Sequence, residues 1–197
     1  MPRSPGPRHR ETFAERRERR RSIDDPQVVL NAAARFLEVR SRSADEVRKH
    51  LMLAGYRGEL VEGAVERLTE LGILNDTAFA HAWVESRFRG RPRSSRVLRH
   101  ELMQKGIERE LIDAAMAAHS SSKDDSPEGN DEGASPDEQA ADRLLARRAG
   151  AFAHVADPRV RRQRAYALLA RNGFDPQVCR DAANRLVAGT PDEPQDD

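Results

Sequence analysis

Apolar residues recur along this chain at helical spacing. Between Val29 and Leu37 they fall about one turn apart, as on one face of an amphipathic helix. Aromatic residues make up only 5% of the chain, and β-branched residues do not alternate with polar ones as they would in a strand. The pattern predicts an all-α fold.

Helix starts can be located from their capping residues. Asp25-Pro26, Asp157-Pro158 and Asp175-Pro176 each place a carboxylate before a proline at the first helical position, where the missing N–H costs nothing. Ser43-Ala44-Asp45-Glu46 has the spacing of a capping box. Asn75-Asp76-Thr77 is interpreted as another helix start.

One pattern occurs three times, in register at three glycines. Each glycine has a leucine four residues before it, and is followed by a large apolar residue, an apolar pair and an alanine. Glycine adopts positive φ without strain, so each is expected to end a helix, with the apolar pair buried in the next one. The matching positions are Gly55, Gly106 and Gly173; Leu51, Leu102 and Leu169; Tyr56, Ile107 and Phe174; Leu60-Val61, Leu111-Ile112 and Val178-Cys179; and Ala64, Ala115 and Ala182.

A further amphipathic stretch precedes each of these two-helix units. Each repeat therefore has three helices, and we predict three tandem three-helix repeats stacked into a curved, elongated array. The glycines are 51 and then 67 residues apart, and the extra 16 residues are interpreted as an acidic linker. The apolar positions of the first helices are Val29, Ala32, Ala33, Phe36 and Leu37; Phe79, Ala82 and Trp83; and Ala141, Leu144 and Leu145.

Composition indicates tails and a linker around the repeats. The mean hydropathy of −0.79 and the 34% of charged residues are polar for a compact domain. The predicted organisation is a disordered Arg-rich arm at 1–24, repeats at 25–73, 74–119 and 138–189, an acidic flexible linker at 120–137, and a disordered tail at 190–197.

Several classes of protein are excluded. The single cysteine, Cys179, leaves no disulfide framework and fits a reducing compartment, and no export signal or membrane span is visible, so we expect a cytoplasmic protein. Phosphate-binding and nucleophile motifs are absent, and the zinc-protease-like run His100–Gln104 lacks its second histidine. We expect no enzyme activity, no metal and no cofactor, with Cys179 and Trp83 packed in the core.

The net charge of +1 sums blocks of opposite sign. Three-helix units suggest a DNA-binding helix-turn-helix motif, in which the third helix would contact the DNA. The third helices of the first two repeats are acidic, however, and phosphates would repel them. Their acidic residues are Glu59, Glu62, Glu66 and Glu70 in the first repeat, and Glu108, Glu110 and Asp113 in the second. Basic residues instead gather at the second helices, where we expect contact with a polyanionic partner. The candidates are Arg48, Lys49, Arg87, Arg89, Arg91, Arg93, Arg96, Arg99, Arg159, Arg161, Arg162 and Arg164. The densest run, 87–96, is expected to be a loop and the main contact site.

Two segments resemble a known family. The run from Leu74 to Arg87, LNDTAFAHAWVESR, followed by LRHELMQKGI from Leu98 to Ile107, resembles the central motif of RecX proteins. The segments 41–43 and 51–56 are similar to the part preceding it, and the third repeat is similar more weakly. A lysine often precedes the closing glycine in this family, but only Lys105 does so here.

The resemblance implies a regulator of RecA. It implies a monomeric cytoplasmic protein of DNA repair, homologous recombination and the SOS response. Such a protein binds the RecA filament on single-stranded DNA and restrains its ATP hydrolysis, strand exchange and coprotease activity. The alternative is a free-standing nonspecific DNA-binding protein that acts without a recombinase.

Overall fold

The computed structural model of the protein describes residues 11–121 and 134–188. Within these ranges every regular element is an α-helix, which confirms the all-α prediction. The helices are α1 (Phe13–Arg21), α2 (Pro26–Leu37), α3 (Ala44–Ala54), α4 (Gly58–Glu70), α5 (Asp76–Gly90), α6 (Ser95–Gln104), α7 (Arg109–Ser121), α8 (Pro136–Ala146), α9 (Ala149–Ala153), α10 (Pro158–Arg171) and α11 (Pro176–Ala188).

The capping residues lie where the sequence predicts them. Asp25 and Asp157 accept hydrogen bonds from the first turns of α2 and α10, each with a proline at the first position, and Asp175 caps α11 in the same way. Ser43 and Glu46 form the predicted capping box of α3. Each cap satisfies an N–H that would otherwise lack a partner within its helix.

Glycine turns connect the last two helices of every repeat. Gly55, Gly106 and Gly173 have φ of 103°, 73° and 84°, the left-handed region that glycine adopts without strain. The leucine four residues before each glycine accepts a hydrogen bond at its carbonyl. The donor is the N–H of the residue that follows the glycine, and the three distances are 3.3, 3.1 and 3.4 Å. The turn thus satisfies carbonyls at the end of one helix while it sets the direction of the next.

The apolar pair after each turn is buried only in part. Its second member is inaccessible in all three repeats, with 0% of Val61, 2% of Ile112 and 0% of Cys179 exposed. Its first member, which includes Leu111, is only half-buried. The expectation that both members are buried is therefore wrong, because adjacent residues on a helix point about 100° apart and only one can face the core.

The first compact unit spans residues 1–79. Helices α2, α3 and α4 pack together around one apolar cluster. Its buried members are Val29, Ala33, Val47, Leu51, Val61, Ala64, Val65, Leu68 and Leu74. These include Leu51, Val61 and Ala64 of the repeated pattern, and the partly buried Tyr56 and Leu60 pack against the cluster, so the predicted three-helix unit forms a core.

Helix α1 lies within the stretch that was predicted to be a disordered arm. Thr12 and Glu15 form a capping box at its start, and Arg20 donates to the carbonyl of Ala54 over 3.3 Å. The Arg20 guanidinium also lies 5.5 Å from the centre of the Tyr56 ring. The structure thus has a helix over residues 13–21, where the sequence analysis expects a disordered arm, and this helix contacts the first glycine turn although it has no buried apolar residue of its own. Residues 1–10 lie outside the described part.

The second compact unit spans residues 80–197. The 16 extra residues of its third repeat do not form a single insertion. The distance from Gly106 to the start of α8 exceeds that from Gly55 to the start of α5 by nine residues. The other seven lie inside the third repeat, where the short helix α9 precedes α10. The third repeat therefore has four helices, and residues 122–133 of the predicted linker and the predicted tail lie outside the described residues.

An aspartate of one repeat caps the second helix of the repeat before it. Asp76, at the start of α5, accepts the backbone N–H of Ala44 over 2.9 Å. Asp137, in the first turn of α8, accepts both the N–H and the hydroxyl of Ser95 over 2.7 and 2.6 Å. Both acceptors satisfy the first N–H of a second helix, so consecutive repeats are joined by the same hydrogen bond.

We predict that Ile112→Ala lowers the free energy of unfolding by about 2 to 5 kcal/mol, because it empties a fully buried position. Leu111→Ala, which truncates the half-buried neighbour, is the matched control and should cost clearly less. Chemical denaturation of both variants measures the difference. Equal costs would contradict the assignment of Ile112 as the core member of the pair.

We predict that Asp137→Ala lowers the free energy of unfolding by about 1 to 3 kcal/mol, because it leaves the Ser95 N–H without its charged acceptor. Asp142→Ala on the same helix is the control, since its ion pair with Arg185 is half-exposed and should contribute less than about 1 kcal/mol. Thermal melts of the two variants test this. A cost no greater than that of the control would argue against the link between repeats.

Candidate functional site

The basic run 87–96 is not a loop throughout. Helix α5 continues to Gly90, so Arg87, Phe88 and Arg89 are helical. Phe88 is only 3% exposed and stacks on the His119 ring with 3.8 Å between ring centres. The expected loop is therefore limited to residues 91–94, because Ala80, Val84 and Phe88 continue the buried face of the helix through the basic run.

Trp83 belongs to a polar network at the half-buried edge of the second repeat. Its indole N–H donates to Glu101 over 3.0 Å. The Arg87 guanidinium and the Lys105 ammonium lie 4.4 and 4.2 Å from the centre of its ring. The prediction that Trp83 is a core residue is wrong, since Ala82 and Trp83 point away from the buried stripe of α5. Here Lys105 holds an aromatic ring, as cations do over indole faces.

Carboxylates neutralise most of the predicted contact residues of the second repeat. Glu101 pairs with Arg87 over 2.8 Å and with Arg93 over 3.5 Å. Arg99 pairs with Asp113, and Arg89 pairs with Glu85 one turn earlier. A guanidinium that already has a carboxylate must give it up, at least in part, to bind another anion. The run is therefore less available to a partner than its charge suggests.

Arg91 differs from its neighbours. It is exposed and forms no ion pair with any described residue. It stands at the start of a short loop, which we call the Arg91 loop (residues 91–94), where Pro92 is fully buried and Ser94 caps α6. The guanidinium of Arg147 donates to the carbonyl of Gly90 over 2.6 Å, so a second cation lies beside it. A loop anchored in this way presents its free charge at a fixed position.

The remaining candidate of α6, Arg96, is used within the unit. Its guanidinium lies 3.5 Å from the carbonyl of Gly173 in the third repeat. The backbone N–H of Ser94 also donates to the carbonyl of Asn172 over 3.4 Å. These contacts make the start of α6 part of the packing between the second and third repeats.

The two candidates of the first repeat are both paired. Arg48 donates to Glu62 on α4 over 2.8 Å, and this hydrogen bond raises the pKa of the Arg48 side chain. Lys49 pairs with Asp45 over 2.6 Å on the same helix. The first unit therefore offers little uncompensated charge at these positions.

Helix α10 supplies uncompensated charge in the third repeat. Arg161 donates to the carbonyl of Val155 over 2.8 and 3.1 Å and so supports the turn before the helix. Arg159, Arg162 and Arg164 are exposed and form no ion pair with the residues that the structure covers. The structure thus separates the twelve candidates into eight held by carboxylates or backbone carbonyls and four exposed arginines, Arg91, Arg159, Arg162 and Arg164, whose side chains have no such partner among the described residues.

Two functional candidates were missed by the sequence analysis. Arg147 was overlooked because it lies outside the second helices. Arg180 was overlooked because the acidic character of the third helices was judged on the first two repeats alone. Counting from each glycine finds it, since Arg180 occupies the position of Glu62 and Asp113.

His100 and Cys179 make local structural contacts. His100 contacts Gln104 over 2.9 Å, while Glu101 is held by Trp83 and Arg87. Cys179 is buried and donates to the carbonyl of Phe174 over 3.6 Å, and its burial raises the pKa of its thiol. Among residues 11–121 and 134–188, no group of three metal-ligating side chains comes together. No helix in these ranges is long and apolar enough to cross a membrane.

Comparisons with known proteins agree with this architecture. Family models of the first and second three-helix domains of RecX match residues 30–68 and 75–116. The regulatory protein RecX of Prosthecochloris aestuarii is 30% identical over 166 residues, which cover 84% of this chain and 98% of that relative. This chain belongs to the RecX family. The regulatory protein RecX of Thermobifida fusca is 31% identical over 148 residues, which cover 75% of this chain and 70% of that one.

Solved RecX structures have the same fold. The crystal structure of RecX from Lactobacillus salivarius aligns with a TM-score of 0.61 and 19% identity, covering 83% of this chain and 97% of that one. A second crystal structure of regulatory protein RecX aligns with a TM-score of 0.57 and 18% identity, covering 87% and 73% of the two chains. At this identity the agreement concerns the fold of RecX proteins alone.

We predict that Glu101→Gln shifts the fluorescence of Trp83, the single tryptophan, because it removes the charge that accepts the indole N–H and holds Arg87 over the ring. The variant should also lose about 1 to 3 kcal/mol of stability. Emission spectra and denaturation curves of the folded protein measure both effects. Glu85→Gln, at an exposed ion pair on the helix that carries Trp83, should change neither. An unchanged spectrum for Glu101→Gln would contradict the network.

Proposed function

We propose that this protein binds the RecA filament assembled on single-stranded DNA and restrains its ATP hydrolysis, strand exchange and coprotease activity. It acts in the cytoplasm as a monomer, in recombinational repair and the SOS response. Membership of a family whose curated members are named regulatory proteins supports a regulatory role rather than catalysis. That RecA is the regulated protein is part of what we propose.

The main support for this proposal is the uncompensated charge of Arg91 on the Arg91 loop. A filament is a repeating, rigid surface, and an uncompensated guanidinium on an anchored loop can pair with an acidic group there without first breaking an internal ion pair. Arg147 beside the loop strengthens the local positive potential. By contrast, the buried Phe88 is not available to stack on a base, so this surface lacks the aromatic platforms of single-strand binders.

The alternative function is that of a free-standing DNA-binding protein. The exposed, unpaired Arg159, Arg162 and Arg164 of α10 favour it, since such residues attract phosphates regardless of sequence. The two functions predict different behaviour towards RecA. The first experiment is therefore to measure ATP hydrolysis by RecA on single-stranded DNA while the protein is added. An unchanged rate at saturating protein would defeat the proposal and promote the alternative.

We predict that Arg91→Glu weakens binding to RecA-coated single strands by at least about tenfold, because it replaces an attraction with a repulsion at the contact surface. Affinity for bare single strands should change less than about threefold. Fluorescence anisotropy with bare and RecA-coated oligonucleotides measures both affinities over several salt concentrations.

Arg109→Glu is the matched control for this charge reversal. Arg109 lies on α7 of the same repeat, its side chain is 88% exposed, and it contacts Asp113 only at 3.8 Å. Its reversal should affect neither substrate. Equal losses on bare and coated strands for Arg91→Glu would mean that the loop binds DNA directly, which contradicts the proposed contact with RecA.

A further inference from the structure

The third repeat lacks an ion pair that joins the second and third helices of the other two. Seven residues before and seven after the glycine, the first repeat has Arg48 and Glu62, and the second has Arg99 and Asp113. Both pairs are formed, the first over 2.8 Å. The third repeat has Tyr166 and Arg180 at these two positions. The third repeat therefore has an aromatic ring where the other two have an arginine, and an arginine where they have a carboxylate.

The neighbouring positions on the third helix change in the same direction. Four and eleven residues after the glycine, the first repeat carries Glu59 and Glu66. The third repeat carries the uncharged amides Gln177 and Asn184 there. Thus three acids on this face of α4 are replaced on α11 by two amides and an arginine. This face of α11 therefore lacks the acids that would repel phosphates from α4.

These residues line an open groove between α10 and α11. Its volume is about 570 Å³, and its main lining residues are Arg159, Arg162, Gln163, Tyr166, Arg180 and Asn184. Arg159 and Arg162 form no ion pair within the described ranges. Arg180 donates to the amide oxygen of Gln177 over 2.6 Å, a partner that leaves its charge uncompensated. Three arginines and one tyrosine therefore line the same groove.

We propose that this groove binds single-stranded nucleic acid directly, with the arginines on its phosphates and the Tyr166 ring against a base. Single-strand binding sites combine positive charge along the backbone with an exposed aromatic face. The amides of Gln163 and Asn184 can hydrogen-bond base edges or sugar hydroxyls, groups that a purely electrostatic surface would not need. An acidic polypeptide would use the cations but has no flat base for the tyrosine.

The inference deepens the proposed function but is tested apart from it. In this proposal two surfaces bind different partners. The Arg91 loop binds RecA, and the groove of the third repeat binds the single-stranded nucleic acid. Bare oligonucleotides test the groove without RecA. A protein could therefore pass one test and fail the other.

The decisive variant combines Tyr166→Arg with Arg180→Glu. It introduces into the third repeat the ion pair that the first two repeats have at these positions. The native pairs at the matching positions show that the helices accept these side chains, so its melting temperature should equal or exceed that of the unsubstituted protein. We expect affinity for a labelled thymidine 20-mer to fall at least tenfold in anisotropy titrations. The slope of log affinity against log salt should fall by about 0.7, the contribution of one phosphate contact.

Two further variants separate stacking from charge. Tyr166→Ala should weaken binding about tenfold without changing the salt slope, because stacking on one base contributes little that depends on ions. Arg162→Gln should lower the slope by about 0.7. Arg109→Glu, the charge-matched control on the second repeat, should leave binding unchanged.

Two outcomes would overturn the inference. One is unchanged oligonucleotide affinity in the folded double variant. The other is loss of affinity for a poly-glutamate peptide in that variant while oligonucleotide binding stays intact, which would assign the groove to an acidic polypeptide.

Discussion

The left-handed glycine turn between the last two helices constrains every repeat. Its positive φ lets the next N–H reach back to a leucine carbonyl, and that leucine is itself at most 1% exposed. A helix can end, reverse and resume within three or four residues only because glycine lacks a Cβ. The turn fixes how the two helices cross, and so determines which side chains seven residues on either side of it meet. The ion pairs of the first two repeats and the groove of the third follow from this one geometry.

Charge in this RecX protein is arranged around internal pairing more than its sequence suggests. Arginines account for most of the basic residues, yet many are held by carboxylates or backbone carbonyls, as Arg99 is by Asp113 and Arg161 is by Val155. The arginines best placed to bind a partner are therefore those that form no ion pair with another described residue. Arg91 meets this criterion in the second repeat, and Arg162 meets it in the third.

The third repeat has diverged from its siblings in both structure and surface. The additional helix α9 lengthens its connection, and Tyr166 with Arg180 replaces an ion pair. The core positions are unchanged, since Leu169 and Cys179 are as inaccessible as their counterparts. Because packing tolerates exchange on the surface far better than in the core, a repeat can acquire a new binding surface while it keeps its fold.

The sequence alone determined the helical class, the three repeats, their glycine turns and most helix starts, because each depends on local periodicity and capping. It also placed the chain beside RecX through the motif around Trp83. Tertiary structure decided which member of each apolar pair is buried, that residues 13–21 form a helix, and that Phe88 belongs to the core. It likewise decided which arginines are free, because a guanidinium and its carboxylate can come from helices that only the fold brings together.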